Sequence, residues 1–228
     1  MRVSLPLAVA LLLATTGAAF GAGGGSMPSS PSSMQSHEPP SPEKLARENY
    51  NSGVRAVEHG DSVAAVAARQ SDPRKAEKTL DKATKAYESA LKKFTKATDQ
   101  QPRMHEAWNY VGYTNRKLAR YGDALAAYDR ALAIKPNYAE AIEYRGHAYL
   151  GLNRLDEAKD AYLSLYSGNR ALANKLLAAM QDWVGARRAN PSGVDVGALD
   201  SFAGWVKERS DIASTTAALT REGAHSSW

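Results

Sequence analysis

Apolar residues along most of this chain recur at steps of three and four, the spacing that keeps side chains on one side of an α-helix. Leu45, Tyr50, Val54 and Val57 outline a first helix over 43–60, and an alanine-rich stretch ending in Ser71-Asp72-Pro73 then interrupts the pattern. A long helix follows over 74–99. Its apolar line is Ala76, Leu80, Ala83, Tyr87, Ala90, Phe94 and Ala97, and Lys78, Lys82, Lys85, Lys92 and Lys96 each lie two residues beyond a member of that line. Two residues are about 200° around a helix, so the lysines take the opposite side, as a solvated outer face or as a stripe for an anionic partner. Two further helical pairs are predicted over 104–120 with 123–134 and over 139–152 with 155–166, the first closed by Pro136, which turns the chain. Leu172, Leu176, Met180 and Trp183 mark another helix, 185–194 reads as a loop, and Leu199, Phe202, Trp205 and Val206 belong to a final amphipathic helix before a polar tail over 220–228.

Between His105 and Leu172 the sequence nearly repeats itself at a fixed shift: Trp108 becomes Ile142, Gly112 becomes Gly146, Ala124 becomes Ala158 and Tyr128 becomes Tyr162. The shift, about 34 residues, is the length of one helix–turn–helix unit of a solenoid, whose units bury their apolar faces only by stacking. A glycine inside a helix costs about 1 kcal/mol relative to alanine. Its recurrence as Gly112 and Gly146 therefore predicts close helix approach, with Ala124 and Ala158 as small partners and Tyr128 and Tyr162 as inserts at the joints between units.

The unit over 105–136 resembles a tetratricopeptide repeat through Trp108, Gly112, Ala124, Tyr128, Ala131 and Pro136, and the next does so through Gly146, Tyr149, Ala158 and Tyr162, with Leu165 and Arg170 departing from the family pattern. An earlier unit is split: Tyr50, Gly53, Gly60 and Asp61 resemble its first helix, while Ala90, Phe94, Ala97 and Pro102 resemble its second, with an insertion over 61–85. The resemblance implies an all-α, right-handed α-α superhelix over 43–172, about three units, completed by C-terminal capping helices over 173–219. It also implies a concave groove lined by first helices that takes a peptide or protein. By position the groove residues are Tyr50 and Val54 from the first unit, Glu106, Asn109, Tyr113, Arg116 and Lys117 from the second, and Glu140, Glu143 and His147 from the third. Some family members hold a terminal carboxylate with a lysine and asparagine cluster; Tyr50 and Val54 lack those groups, so that mode is not expected.

The N-terminus changes the picture of where the chain acts. Arg2, the apolar run over 3–14 and the small residues Ala18, Ala19, Gly21 and Ala22 predict a secretory signal over 1–22, hence an exported, periplasmic or secreted protein with no membrane span after cleavage. In 23–42, 3 Gly, 7 Ser and 5 Pro leave too little apolar surface to fold, which predicts a disordered tether. The chain has no cysteine, excluding disulfides and thiolate metal sites. Its 29 Lys plus Arg against 24 Asp plus Glu give a formal charge of +5, a mild preference for acidic partners.

Nothing in the sequence supplies catalysis. Gly-x-Ser-x-Gly and phosphate-loop signatures are missing, and no two of the five histidines stand four apart. Glu143 and His147 do, with Glu140 nearby, but a surface pair at that spacing is far commoner than a metal site, so neither metal nor cofactor is expected. The sequence therefore leads us to expect a non-enzymatic adaptor or scaffold of the cell envelope. Electrostatic binding of an anionic polymer or nucleic acid along the lysine face over 74–99 is the alternative.

Overall fold

A computed structural model describes residues 39–225 apart from Ser192, with side chains described up to residue 216. The expected signal over 1–22, most of the tether and the end of the tail lie outside the described residues. Among the described residues eight helices follow one another: α1 (Pro42–Ala67), α2 (Pro73–Gln100), α3 (His105–Lys117), α4 (Tyr121–Ile134), α5 (Ala139–Gly151), α6 (Leu155–Gly168), α7 (Arg170–Ala189) and α8 (Val196–His225). Helices α1 and α2, α3 and α4, and α5 and α6 form pairs; α3 and α5 each bridge two pairs, and α7 with α8 closes the stack. Among the described residues no helix is long and apolar enough to cross a membrane.

The first pair is an extended hairpin, and the same local device starts both its helices. Ser41 caps α1 by accepting from the Lys44 amide, Asp72 caps α2 by accepting from the Arg74 and Lys75 amides, and a proline preset for helical φ occupies the first turn of each. The pairing runs from Asn49 against Gln100, through Gly53 against Phe94, to Asp61 against Tyr87. Residues 61–85 therefore form no separate element; they prolong both helices to a tip at 68–72. The predicted interruption from Ser62 falls later, because the alanines and valines to Ala67 continue the helix. The predicted burial of Leu80 also fails: it is 50% exposed, since the tip projects beyond what the neighbouring unit covers.

The glycine prediction holds with a change of partner. Tyr128 is fully buried with its ring directly over Gly112, so that an added Cβ would clash with it, and it reaches Tyr144 of the next unit at 6.4 Å between centroids. Phe94, one repeat earlier, covers Gly53 in the same way. In the third unit Leu176 of α7 covers Gly146 instead, and Tyr162 turns to Tyr166 and Trp205. Ala124 and Ala158 are fully buried. The turns repeat as well: Ala119 and Asn153 both take φ near +58°, and each ends its helix with the paired bonds of a Schellman motif, Arg120 N–H to Asn115 and Arg154 N–H to Tyr149.

At the C-terminus α7 runs on into the predicted loop, as far as Ala189. Gly185 sits in open space, and Arg187 and Arg188 in the last turn complement the helix dipole. The backbone of α8 stays helical to His225 where a polar tail was expected. Phe202 is fully buried and meets Trp183 edge-on, so α8 covers the apolar side of α7.

Candidate functional site

The first helices of successive pairs lie side by side, and their shared face carries an unbroken chain of aromatic rings. Tyr50 of α1 meets Tyr110 of α3 at 5.6 Å between centroids, Tyr110 meets Tyr113 at 6.1 Å, and Tyr113 meets Tyr144 of α5 at 5.1 Å. Phe94, buried beneath, stacks on Tyr110 at 4.8 Å. Edge-to-face and offset contacts of this kind fix ring positions beyond what area burial does. Burial pushes the phenols of Tyr50 and Tyr144 up to about 12, helped at Tyr50 by Tyr110 and Glu106 and at Tyr144 by Glu143, so the chain of rings stays neutral at physiological pH.

Cations converge on these rings. The Arg116 guanidinium lies 5.1 Å from the Tyr113 centroid and 5.5 Å from that of Tyr144, and Lys175 of α7 lies 5.2 Å from the Tyr144 centroid. Arg116 pairs with no carboxylate among the described residues, and its Nε is buried without a hydrogen-bond partner. Two cations from two helices, Arg116 of α3 and Lys175 of α7, thus lie within about 6 Å of the Tyr144 ring.

Two buried or half-buried carboxylates organise the flanks. Asp61 at the end of the first pair accepts from the Tyr87 hydroxyl at 2.6 Å and the Tyr113 hydroxyl at 2.6 Å, and pairs with Lys117 at 2.9 Å. Burial alone would raise its carboxyl; the hydrogen bonds from Tyr113, Tyr87 and Lys117 outweigh that and hold it below the ordinary value. The same network, after burial itself, raises the phenols of Tyr87 and Tyr113. Glu143 has only 1% of its side chain exposed and is held by His147 at 2.7 Å and Lys175 at 3.4 Å.

The residues singled out from the sequence divide accordingly. Tyr50, Tyr113 and Arg116 stand in the aromatic chain or against it, and Lys117 is engaged by Asp61. Glu106 is partly exposed beside His105, and Glu140 is exposed. Val54 packs into the cluster around Val57, Phe94 and Val111. Asn109 is only 2% exposed, and its Oδ1 is buried without a protein partner, so its side chain belongs to the packing between helices. Its equivalent in the next unit is Glu143, equally buried. Glu140, Glu143 and His147 do not gather as a metal site, and among the described residues no cluster of three such groups does. Sequence reasoning missed Tyr110 and Tyr144, although they stand exactly one repeat apart and are thus visible to the period, and it missed Asp61 as a hub and Lys175, for which no periodic signal exists.

Residues 64–139 match the family model described as Tetratricopeptide repeat. The chain is 34% identical over 127 residues to Heat shock protein STI1 of Saccharomyces cerevisiae, covering 52% of this chain and 20% of that protein. It is 34% identical over 116 residues to the Hsp70-Hsp90 organizing protein of Triticum aestivum, covering 46% of this chain and 20% of that one. The chain therefore spans about a fifth of the length of these curated relatives. Among solved structures, the first TPR domain of the human RPAP3 protein is similar at 19% identity and a TM-score of 0.48, covering 65% of this chain and 98% of that domain.

Proposed function

From the premise that this chain is a tetratricopeptide-repeat protein, we propose that it is a non-enzymatic adaptor whose first-helix face holds a peptide or protein segment. The observation that carries this reading is Arg116: a guanidinium within about 6 Å of the Tyr113 and Tyr144 rings that pairs with no carboxylate among the described residues, with Lys175, itself held by Glu143, beside Tyr144. A charge held in this way is preorganised, so less ordering cost falls on binding. The complementary group is an acidic side chain of the partner set over Tyr144, with apolar or aromatic neighbours lying along Tyr110 and Tyr113. The aromatic chain offers large contact area at low side-chain entropy. That one relative is named Hsp70-Hsp90 organizing protein agrees with an adaptor role. We also propose that the adaptor acts in the cell envelope, on the expectation of a secretory signal over 1–22.

The test is site-specific photocrosslinking in the native compartment, with a photoreactive residue at Glu140 or Lys175 on the first-helix face and at Asp156 or Leu163 on the exposed side of α6. Adducts confined to the first two positions support the reading. Adducts of equal yield from the α6 positions, or none from the first-helix face, overturn it.

A further inference from the structure

The outward side of α2 differs from the outward sides of α4 and α6. There cations stand beside acids: Asp129 of α4 pairs with Arg145 of α5, Lys159 of α6 pairs with Asp156, and Arg154 just before α6 pairs with Glu157. On α2, Arg74, Lys78, Lys82, Lys85, Lys92 and Lys96 are all exposed, and none forms an ion pair among the described residues. At about 100° and 1.5 Å per residue these six fall within an arc of about 80° and a length of about 33 Å. The arc is opposite the side that buries Tyr87, Ala90 and Phe94. The acids of the helix, Glu77, Asp81, Glu88 and Asp99, form a parallel line on one flank, so they recede from anything tangent to the centre of the basic arc.

We propose that this stripe is a second binding surface, independent of the first-helix face, and that it docks on a bilayer surface rich in anionic headgroups. The stripe is straight, and a plane meets it along its whole length, whereas the phosphates of a duplex wind out of reach within one turn of about 34 Å. Five of the six cations are lysines, point charges without the planar fork that reads base edges, and no aromatic side chain stands among them to stack on a base. The long lysine stems let the ammonium groups reach headgroups while the helix stays at the surface. Attraction of this kind is summed over many weak contacts and is screened by salt.

The experiment is co-sedimentation of the full chain with vesicles of phosphatidylcholine alone and with about 30% phosphatidylglycerol, in low and high salt. We expect binding to the anionic vesicles only, lost when salt rises from about 50 mM to about 500 mM. Lys82→Glu, Lys85→Glu and Lys92→Glu together weaken it by about tenfold or more, with circular dichroism showing the fold intact. Reversing Arg103, Arg130 and Arg188, the same change in net charge on other surfaces, leaves binding near wild type. Equal binding to both vesicle types, retention by the lysine variant, equal loss in the arginine variant, or tighter binding to a DNA duplex than to the anionic vesicles would each overturn the proposal.

Discussion

Asp61 ties the elongated hairpin to the next unit, and replacing it tests whether that tie is as strong as its geometry suggests. Asp61→Ala removes the acceptor for two tyrosine hydroxyls at 2.6 Å and the partner of Lys117 at 2.9 Å. Hydrogen bonds to a charged group contribute about 1.5–3 kcal/mol each when fully buried. The Asp61 side chain is 37% exposed, so the released hydroxyls regain water, and we discount each bond to about 1 kcal/mol and the ion pair to about 0.5 kcal/mol. The sum predicts a loss of about 2–3 kcal/mol, a fall in Tm of about 5–10 °C for a domain of this size. Asp61→Asn, which keeps a carbonyl acceptor, loses about half of that. The pH dependence follows from the depressed carboxyl, whose ordinary value is 3.8. A group whose folded pKa lies below its unfolded one stabilises fully above the unfolded value and loses that contribution as pH falls through the folded value. The stability gap between wild type and Asp61→Asn is therefore constant from neutral pH down to about 4 and closes below it. Urea unfolding followed by circular dichroism at several pH values measures both. An unchanged urea midpoint in Asp61→Ala, or a gap that stays constant below pH 4, refutes the reasoning.

Two smaller changes probe the repeat. Gly112→Ala gains about 1 kcal/mol of helix propensity but drives a methyl into the buried Tyr128 ring, for a net loss of about 1–2 kcal/mol, whereas Gly204→Ala, with open space around it, gains about 0.5–1 kcal/mol; thermal unfolding of the pair separates packing from propensity. Ala119→Asn, the residue that the following unit already has at the same left-handed position, raises stability by about 0.5 kcal/mol in the same assay, because alanine is strained there and asparagine less so.

What could be read from the sequence was what repeats. The matching turns at Ala119 and Asn153 recur at the spacing of the repeat, as do Phe94 and Tyr128 over their glycines, because each unit solves the same packing problem, and Tyr110 and Tyr144 obey that spacing too. The remainder depends on encounters that have no period. Asp61 meets Tyr113 across 52 residues because α1 happens to run long enough to reach α3. Tyr162 leaves its expected place because α8 presents Trp205 and α7 presents Leu176, neither of which belongs to the repeat. Leu80 keeps the helical spacing of a buried residue yet stays exposed, since periodicity shows which side of a helix is apolar but not whether a neighbour is there to cover it. Asn109 and Glu143 are groove residues by position, and burial instead places them between helices.

The central claim is that stacked helix pairs hold Arg116 and Lys175 in place around Tyr144 to grip an acidic residue of a partner. Calorimetric titration of the crosslinked partner segment, recovered and synthesised, against wild type and against Arg116→Gln with Lys175→Gln measures this directly. The account predicts an affinity weaker by about tenfold or more in the double variant, with circular dichroism showing the helical fold intact at the titration temperature. Equal affinity for both proteins would contradict it.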